Sequence, residues 1–219
     1  LFSAIVKSRG YSMSVQYIIE IASEDHVDWS PAICAAIENA AQSRGTGIAL
    51  RTPEYIRGKI LEGKAIIAFA REAEGAERRI AGFCYIETWG GKKYVANSGL
   101  VVQPEYRHSG LAKSIKKRAF ELSRTRFPEA RLFGITTSYA VMKINTDLGY
   151  VPVPYTELTD DDEFWNGCRS CPYYDILQRM GRSMCLCTAM LLDPVKSSRI
   201  VSGEKAARER SVTEEVPHV

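Results

Sequence analysis

The stretch that decides the fold is residues 101–112, Val-Val-Gln-Pro-Glu-Tyr-Arg-His-Ser-Gly-Leu-Ala. An apolar run over residues 98–102 predicts a strand, and a short turn leads from it into an amphipathic helix. Ser109 is the predicted N-cap of that helix. Apolar residues recur there at helical spacing, at Leu111, Ile115, Ala119 and Leu122. The charged residues between them are predicted to face outward: Lys113, Lys116, Lys117 and Arg118.

The turn before this helix is built from small residues. It leaves several backbone N–H groups pointing into one space, where the helix dipole adds partial positive charge. Such an N-terminus binds a pyrophosphate. Gly110 and Ala112 lack the bulk that would hold a phosphate away from the backbone. The alternative is an ordinary strand, turn and helix without a ligand.

Composition limits the function classes. The chain has 219 residues, of which 45% are hydrophobic and 25% charged, values typical of one globular domain with appendages. A net charge of +3 is too small to favour nucleic acid as a partner. No apolar run approaches the ~20 residues of a membrane span, and the start lacks a secretory signal. We therefore expect a cytoplasmic protein without nucleic-acid or membrane partners. The chain begins with Leu1, and Met13 is a candidate natural start.

The chain divides into four predicted regions. Residues 1–14 form an N-terminal extension, and residues 15–155 alternate strands and helices. Ser30-Pro31 and Thr52-Pro53 each predict a helix start, as N-cap and first helical residue. Residues 156–194 form a cysteine-rich appendage, and residues 195–219 form a charged tail that we expect to be mobile.

Residues 107–112 fit Arg-x-x-Gly-x-Ala, and the loop resembles the acetyl-CoA loop of the GNAT N-acetyltransferase superfamily. The flanking order is similar too: a hairpin over residues 80–102 before the loop, then a strand over 131–138, a short helix over 139–148 and Gly149-Tyr150. The resemblance spans residues 15–155. It implies an α+β fold with a mixed, mostly antiparallel sheet flanked by helices. It also implies acetyl-CoA as co-substrate, held by Val101, Val102, Arg107, His108, Ser109, Gly110, Leu111 and Ala112.

Two further segments concern the acceptor. Residues 47–54 and 132–137 are similar to the GNAT domain of bacterial N-acetylglutamate synthases. A guanidinium pairs bidentately with a carboxylate. Arg51 and Arg44, with Thr137 on the strand, are therefore candidates for binding an amino-acid acceptor. The alternative is that both arginines are solvated charges beside helices.

Catalysis needs a base for the amine, donors to the oxyanion and a proton for the thiolate. The resemblance implies direct transfer without an acyl-enzyme. Many members carry a Glu on the strand before the loop, but residues 96–99 of this chain are Ala-Asn-Ser-Gly. Many members also carry a Tyr on the short helix, and this chain has Asn145 at that position. Either Glu87, acting through water, is the base, or waters relay the proton without a protein base. Tyr139 and Tyr155 are alternative acids, and each is as well explained by a structural role.

Four of the six cysteines form two close pairs, Cys168-x-x-Cys171 and Cys185-x-Cys187. Two such pairs complete a tetrahedral site, so the spacing predicts a structural zinc ion. Reduced thiols without metal and a disulfide or redox pair are the alternatives. Cys34 and Cys84 are predicted to be small buried side chains.

These features together predict an acyl-CoA-dependent N-acyltransferase of amino-acid biosynthesis. Its acceptor is a small amine, with glutamate the best single choice, and acetyl is the default acyl group. A protein or peptide N-acetyltransferase and a non-catalytic acyl-CoA-binding module are the alternatives. A homodimer is compatible with all three.

Overall fold

The computed structural model describes residues 4–7, 15–44, 49–72 and 76–195. Its strands are β1 (Ala4–Lys7), β2 (Gln16–Ile21), β3 (Ala65–Arg71), β4 (Arg79–Trp89), β5 (Tyr94–Val102), β6 (Arg131–Thr136), β7 (Val151–Pro152) and β8 (Thr188–Leu192). They form one eight-stranded sheet in the order β1-β2-β3-β4-β5-β6-β8-β7. All neighbours are antiparallel except β5 and β6, which run parallel. The predicted mixed, mostly antiparallel sheet is confirmed.

The helices cover both faces of this sheet. They are α1 (Ser30–Arg44), α2 (Pro53–Leu61), α3 (Leu111–Arg126), α4 (Tyr139–Asp147), α5 (Asp162–Asn166) and α6 (Tyr174–Arg179). Strand β3 explains the layering, because its alternate residues are buried on opposite faces. Ile67 and Phe69 pack among α1 and α2, while Ile66 and Ala68 pack among residues of α3. No helix in the described ranges is long and apolar enough to cross a membrane.

Helix starts follow the sequence prediction only in part. Thr52 caps α2 as predicted, since its Oγ1 accepts a hydrogen bond from the Tyr55 N–H at 3.3 Å. Ser30 instead lies inside α1, and its hydroxyl donates to the Val27 carbonyl at 2.6 Å. Ser109 likewise donates to the Tyr106 carbonyl at 2.7 Å, and Gly110 takes the N-cap position of α3 in a left-handed conformation with φ of 84°. A serine hydroxyl that bonds the preceding turn is not free to cap the helix.

Helix α3 also differs from its prediction at one charged position. Leu111, Ile115, Ala119 and Leu122 are buried as predicted, and Lys113 and Lys117 are exposed. Lys116, predicted to face outward, is only 2% exposed. On a helical wheel it lies beside Ala119 and Ser123, which are both fully buried. These small neighbours leave room for the lysine side chain against the sheet.

The sheet opens between β5 and β6. These strands pair over only three positions, which end at Ala96 and Phe133. Beyond Ala96, strand β5 is irregular, and its register against β4 shifts between Phe83 and Tyr85. Gly99 has φ of 64°, a left-handed conformation that favours glycine. The two strands therefore diverge and leave a cleft through the sheet.

The cysteines lie in the segment of residues 153–187, between β7 and β8, which we call the cysteine segment. Tyr155, Trp165 and Leu177 pack in one cluster with Ala96 and Phe133 of the sheet. The segment thus covers the diverging strands on the face that carries α1 and α2. After it, the chain adds β8 to the sheet beside β6. The range 156–194, predicted as an appendage, therefore contributes a strand to the central sheet.

Replacement of Gly99 tests this geometry. A Cβ on Gly99 would lie 2.6 Å from Cε1 of Tyr85, so Gly99→Ala combines a strained φ with a steric clash. We expect a free energy of unfolding lower by about 2–4 kcal/mol, measured by chemical denaturation. Gly91→Ala is the matched control, because Gly91 has φ of 65° and open space around its Cβ position. It should cost only about 1 kcal/mol, and equal losses for the two variants would contradict the packing against Tyr85.

Candidate active site

A cavity of about 450 Å³ lies in the cleft between β5 and β6. One wall is β5 at Asn97, Ser98, Gly99 and Leu100, and the opposite wall is residues 135–138 at the end of β6. On the α1 and α2 face, Arg51, Tyr85 and the cysteine segment enclose it. On the α3 and α4 face, Lys116 and Val141 line it. The cavity therefore reaches through the sheet from one face to the other.

The predicted cofactor loop begins where the β5 wall of the cavity ends. Val101 and Val102 continue β5 directly beyond the cavity wall, and both are buried. Arg107 donates from its Nε to the Val102 carbonyl at 3.2 Å, which fixes the loop against the strand. Gly110 has no heavy atom within 4 Å of its Cβ position, so the N-terminus of α3 is open to a ligand. His108 is exposed at φ of 63°, Ser109 half-buried, Leu111 buried and Ala112 half-buried.

Arg51 lies at the cavity wall just before α2. Its Nε donates to the Tyr85 hydroxyl at 2.9 Å and its Nη1 to the Leu50 carbonyl at 3.0 Å. Burial lowers the pKa of Arg51, but the nearby Tyr85, Tyr55 and Glu87 oxygens outweigh burial, so the pKa is raised overall. In the described part of the chain, no hydrogen bond engages Nη2 of Arg51. A charged guanidinium with a free N–H group thus borders the cavity.

Glu87 is held in a buried network behind that wall. Its carboxylate accepts hydrogen bonds from the Tyr55 hydroxyl and the Lys59 ammonium. The Lys59 and Glu87 side chains are 11% and 13% exposed, so this is a largely buried ion pair. Burial is the largest cause that raises the pKa of Tyr55. Glu87 does not line the cavity itself. Its partner Tyr55 packs against the cavity wall, with its ring centroid 5.8 Å from that of Tyr85 and 5.0 Å from Cζ of Arg51.

The other predicted acids and acceptor residues are dispersed. Tyr139 is 77% exposed at the start of α4, outside the cavity wall. Asn145 is 1% exposed, and its Nδ2 lies 3.6 Å from the Met190 sulfur. Thr137 lines the cavity, as does Tyr155, whose hydroxyl donates to the Cys187 carbonyl at 2.9 Å. The side chain of Arg44 lies outside the described residues.

Cys168, Cys171, Cys185 and Cys187 all line the cavity as free, half-buried thiols. Burial and the neighbouring thiols raise the pKa of Cys168 to about 11 and that of Cys187 to about 12, so both are protonated at neutral pH. Among the described residues, no group of three or more His, Cys, Asp or Glu side chains is placed to hold a metal ion. The predicted zinc site therefore has no support in this geometry. Cys84 is buried as predicted, and Cys34 is half-buried.

Tyr85 and Lys116 are two residues of the cavity wall whose positions the sequence analysis does not predict. Tyr85 has the pattern of an ordinary aromatic residue in a strand, and nothing local indicates that its hydroxyl contacts Arg51. For Lys116 a signal exists, because Ala112, Ala119 and Ser123 extend the small-residue face of α3 around it.

Comparison with known proteins rests on structure alone. No family model matches the chain, and neither does any curated protein sequence. Solved structures do match. N-acetylglutamate synthase from Neisseria gonorrhoeae, complexed with coenzyme A and N-acetyl-glutamate, shares 16% identity over 81% of this chain at a TM-score of 0.55. This chain covers only 35% of that synthase chain.

Two smaller structures match over nearly their whole length. Rv2747 from Mycobacterium tuberculosis, in complex with CoA and NLQ, is 15% identical over 80% of this chain and 98% of its own, at a TM-score of 0.56. YncA from Salmonella typhimurium, a putative acetyltransferase with its cofactor acetyl-CoA, is 14% identical over 81% and 94%, at a TM-score of 0.52. At these identities the likeness establishes the fold.

Proposed function

We propose that this chain, which has the GNAT acetyltransferase fold, is an acyl-CoA-dependent N-acyltransferase that acts on the amino group of a small molecule. Acetyl is the proposed acyl group, and an amino acid such as glutamate the proposed acceptor. One observation carries the proposal. The cleft between β5 and β6 holds a cavity bordered by a charged arginine, and the β5 wall of that cavity continues into the loop that opens the N-terminus of α3. A cytoplasmic role in amino-acid biosynthesis belongs to the same proposal.

The cofactor half of the proposal rests on the start of α3. The first N–H groups of a helix have no partners within the helix and carry partial positive charge. Here they follow a left-handed Gly110 with open space around it, so a pyrophosphate can approach the backbone. The structures of the same fold from Neisseria and Mycobacterium hold coenzyme A. We assign the corresponding loop, residues 101–112, to the same ligand.

The acceptor half of the proposal rests on the cavity in the cleft between β5 and β6. A volume of about 450 Å³ lies within the range of small-molecule sites. The cysteine segment closes the α1 and α2 face with Tyr155, Phe164 and Tyr173, which favours a small amine over a protein chain. Arg51 offers a guanidinium N–H group to a carboxylate. The Neisseria synthase structure holds N-acetyl-glutamate, which supports an amino acid as the acceptor class.

In the proposed reaction, the neutral amine attacks the thioester carbonyl from the α1 and α2 side of the cleft. The C–N bond forms, the C–S bond breaks, and the amine loses a proton. Glu87 is the proposed base, acting through water, because its hydrogen-bond partner Tyr55 packs against Tyr85 of the cavity wall. Tyr139 and Tyr155 stay sequence predictions for the acid, and Asn145 stays a predicted site residue at the position where many members carry a Tyr. Backbone N–H groups near Leu100 are proposed to polarise the carbonyl.

Replacement of Gly110 tests the cofactor half. Gly110→Glu adds a carboxylate and bulk where the pyrophosphate would lie, so we expect acetyl-CoA binding to fall below detection in calorimetric titration. Gly91→Glu, at another open glycine with positive φ, is the control and should bind as the wild type does. Unchanged affinity in a folded Gly110→Glu variant would remove the basis for this site.

Replacement of Arg51 tests the acceptor half. Arg51→Ala should raise the acceptor KM by a factor equivalent to about 2–4 kcal/mol, the scale of a truncated buried charge pair. The affinity for acetyl-CoA should stay within about threefold of the wild type. Steady-state kinetics with both substrates varied measure this, with the exposed Arg57→Ala as control. An equal loss for an amine without a carboxylate would mean that Arg51 is structural.

The cysteines carry the remaining prediction, made from their spacing alone. If Cys168, Cys171, Cys185 and Cys187 bind zinc, purified protein should contain about one equivalent of metal with thiolate ligands. Elemental analysis measures the metal, and cobalt substitution should give intense thiolate charge-transfer bands. A folded, metal-free preparation whose thiols all titrate readily would contradict the zinc prediction.

A further inference from the structure

Lys116 is a buried lysine at the wall of the cavity. It lies on the sheet side of α3, and it is 2% exposed. Its ammonium Nζ donates to the Asn97 carbonyl at 3.4 Å and lies 5.8 Å from the centroid of the Tyr150 ring. Across the described ranges no carboxylate pairs with it. Two of its three N–H groups are thus left without a partner at the cavity wall.

The neighbouring polar groups are occupied with one another. The Asn97 side chain donates to the Ser123 hydroxyl at 2.8 Å and accepts from the Tyr150 hydroxyl at 3.3 Å. Burying a charge without a counter-charge opposes folding, and an apolar side chain of the same volume would avoid that cost. Packing alone therefore does not account for a lysine at this position.

The position of Lys116 relative to the cleft suggests a task. Asn97 is the first residue of β5 after its last pair with β6, so the ammonium lies at the inner end of the cleft. Helix α3 runs back along β5 from the cofactor loop, and Lys116 follows the helix start by about 7.5 Å of rise. If the pyrophosphate of an acyl-CoA is bound at the start of α3, its thioester would enter the cleft toward this ammonium.

We propose that Lys116 is a catalytic residue that donates a proton to the departing sulfur of the acyl-CoA. As the C–S bond breaks, the electron pair goes to sulfur, and the Lys116 ammonium supplies the proton that makes the free thiol. The amine of the acceptor loses one proton to a base or to water, and the neutral lysine regains one from solvent, so protons balance over a cycle. This role rests on the proposed acyl-transfer function.

The surroundings suit a proton donor. Burial lowers the pKa of Lys116, which makes its ammonium a stronger acid than a solvated one. The titratable groups packed around it are Cys84 of β4 and Tyr150 after α4, and burial raises the pKa of each, so both are neutral at pH 7. The remaining neighbours, Asn97 and Ser123, do not titrate. Lys116 is therefore a basic group at the inner end of the cleft to which Cys84 and Tyr150 supply no counter-charge.

Lys116→Met separates a catalytic role from a structural one. Methionine has similar length and no charge, so the variant should fold and melt at the wild-type temperature or above it. We expect the dissociation constant of acetyl-CoA to stay within about threefold, while kcat falls by about 100-fold or more, the scale of a lost general acid. Lys117→Met, one residue along on the exposed side of α3, is the control and should keep its kcat. A Lys116→Met kcat within twofold of the wild type would overturn the proposal.

Two readouts exclude a merely structural effect. The wild-type kcat should decline as the pH rises through the pKa of Lys116, and Lys116→Met should lack this alkaline limb. In Lys116→Ala, small alkylammonium ions added to the assay should restore kcat, whereas a variant with no rescue and an unchanged pH profile would contradict proton donation. If the wild-type protein itself fails to bind acetyl-CoA, the proposed function fails instead, which calorimetry distinguishes before any variant is made.

Discussion

The divergence of β5 from β6 after three residue pairs is the constraint on which the rest of the site depends. Two paired strands would close the sheet and leave no passage between its faces. Gly99 maintains the opening, because its left-handed backbone lies against the ring of Tyr85 and no Cβ fits there. Tyr85 in turn accepts a hydrogen bond from Arg51. The same distortion that opens the cleft thus positions the charged guanidinium at the cavity wall.

The two faces of the sheet contribute different groups to this opening. On one face, α3 places the buried Lys116 at the cavity wall, and the open N-terminus of α3 follows the end of β5. On the other, the cysteine segment packs its aromatic residues over Phe133 and Ala96 and encloses the cavity. An acyl group carried from the first face and an amine held on the second would meet inside the sheet. Exclusion of water from this meeting point strengthens every electrostatic interaction there.

Local sequence patterns predict much of the fold. The run from residue 98 through α3, the β4–β5 hairpin and the capping of α2 by Thr52 each depend on neighbouring residues, so the sequence predicts them well. Long-range contacts did not show in the sequence. Nothing local indicates that β8 pairs with β6, that Arg51 contacts Tyr85, or that four cysteines line the cavity. Lys116 is buried, although a lysine on an amphipathic helix is usually solvated, because the small residues around it on α3 leave space for it.

Acyl transfer itself is the most direct test of this account. Acetyl-CoA labelled with ¹³C in the acetyl group would be incubated with the protein and a mixture of the standard amino acids, and the products followed by mass spectrometry. The account predicts one or a few labelled N-acetyl amino acids, with free CoA released in equal amount. Bound acetyl-CoA that stays intact with every amino acid, and with simple amines offered in the same way, would contradict an acyltransferase and indicate a module that only binds the cofactor.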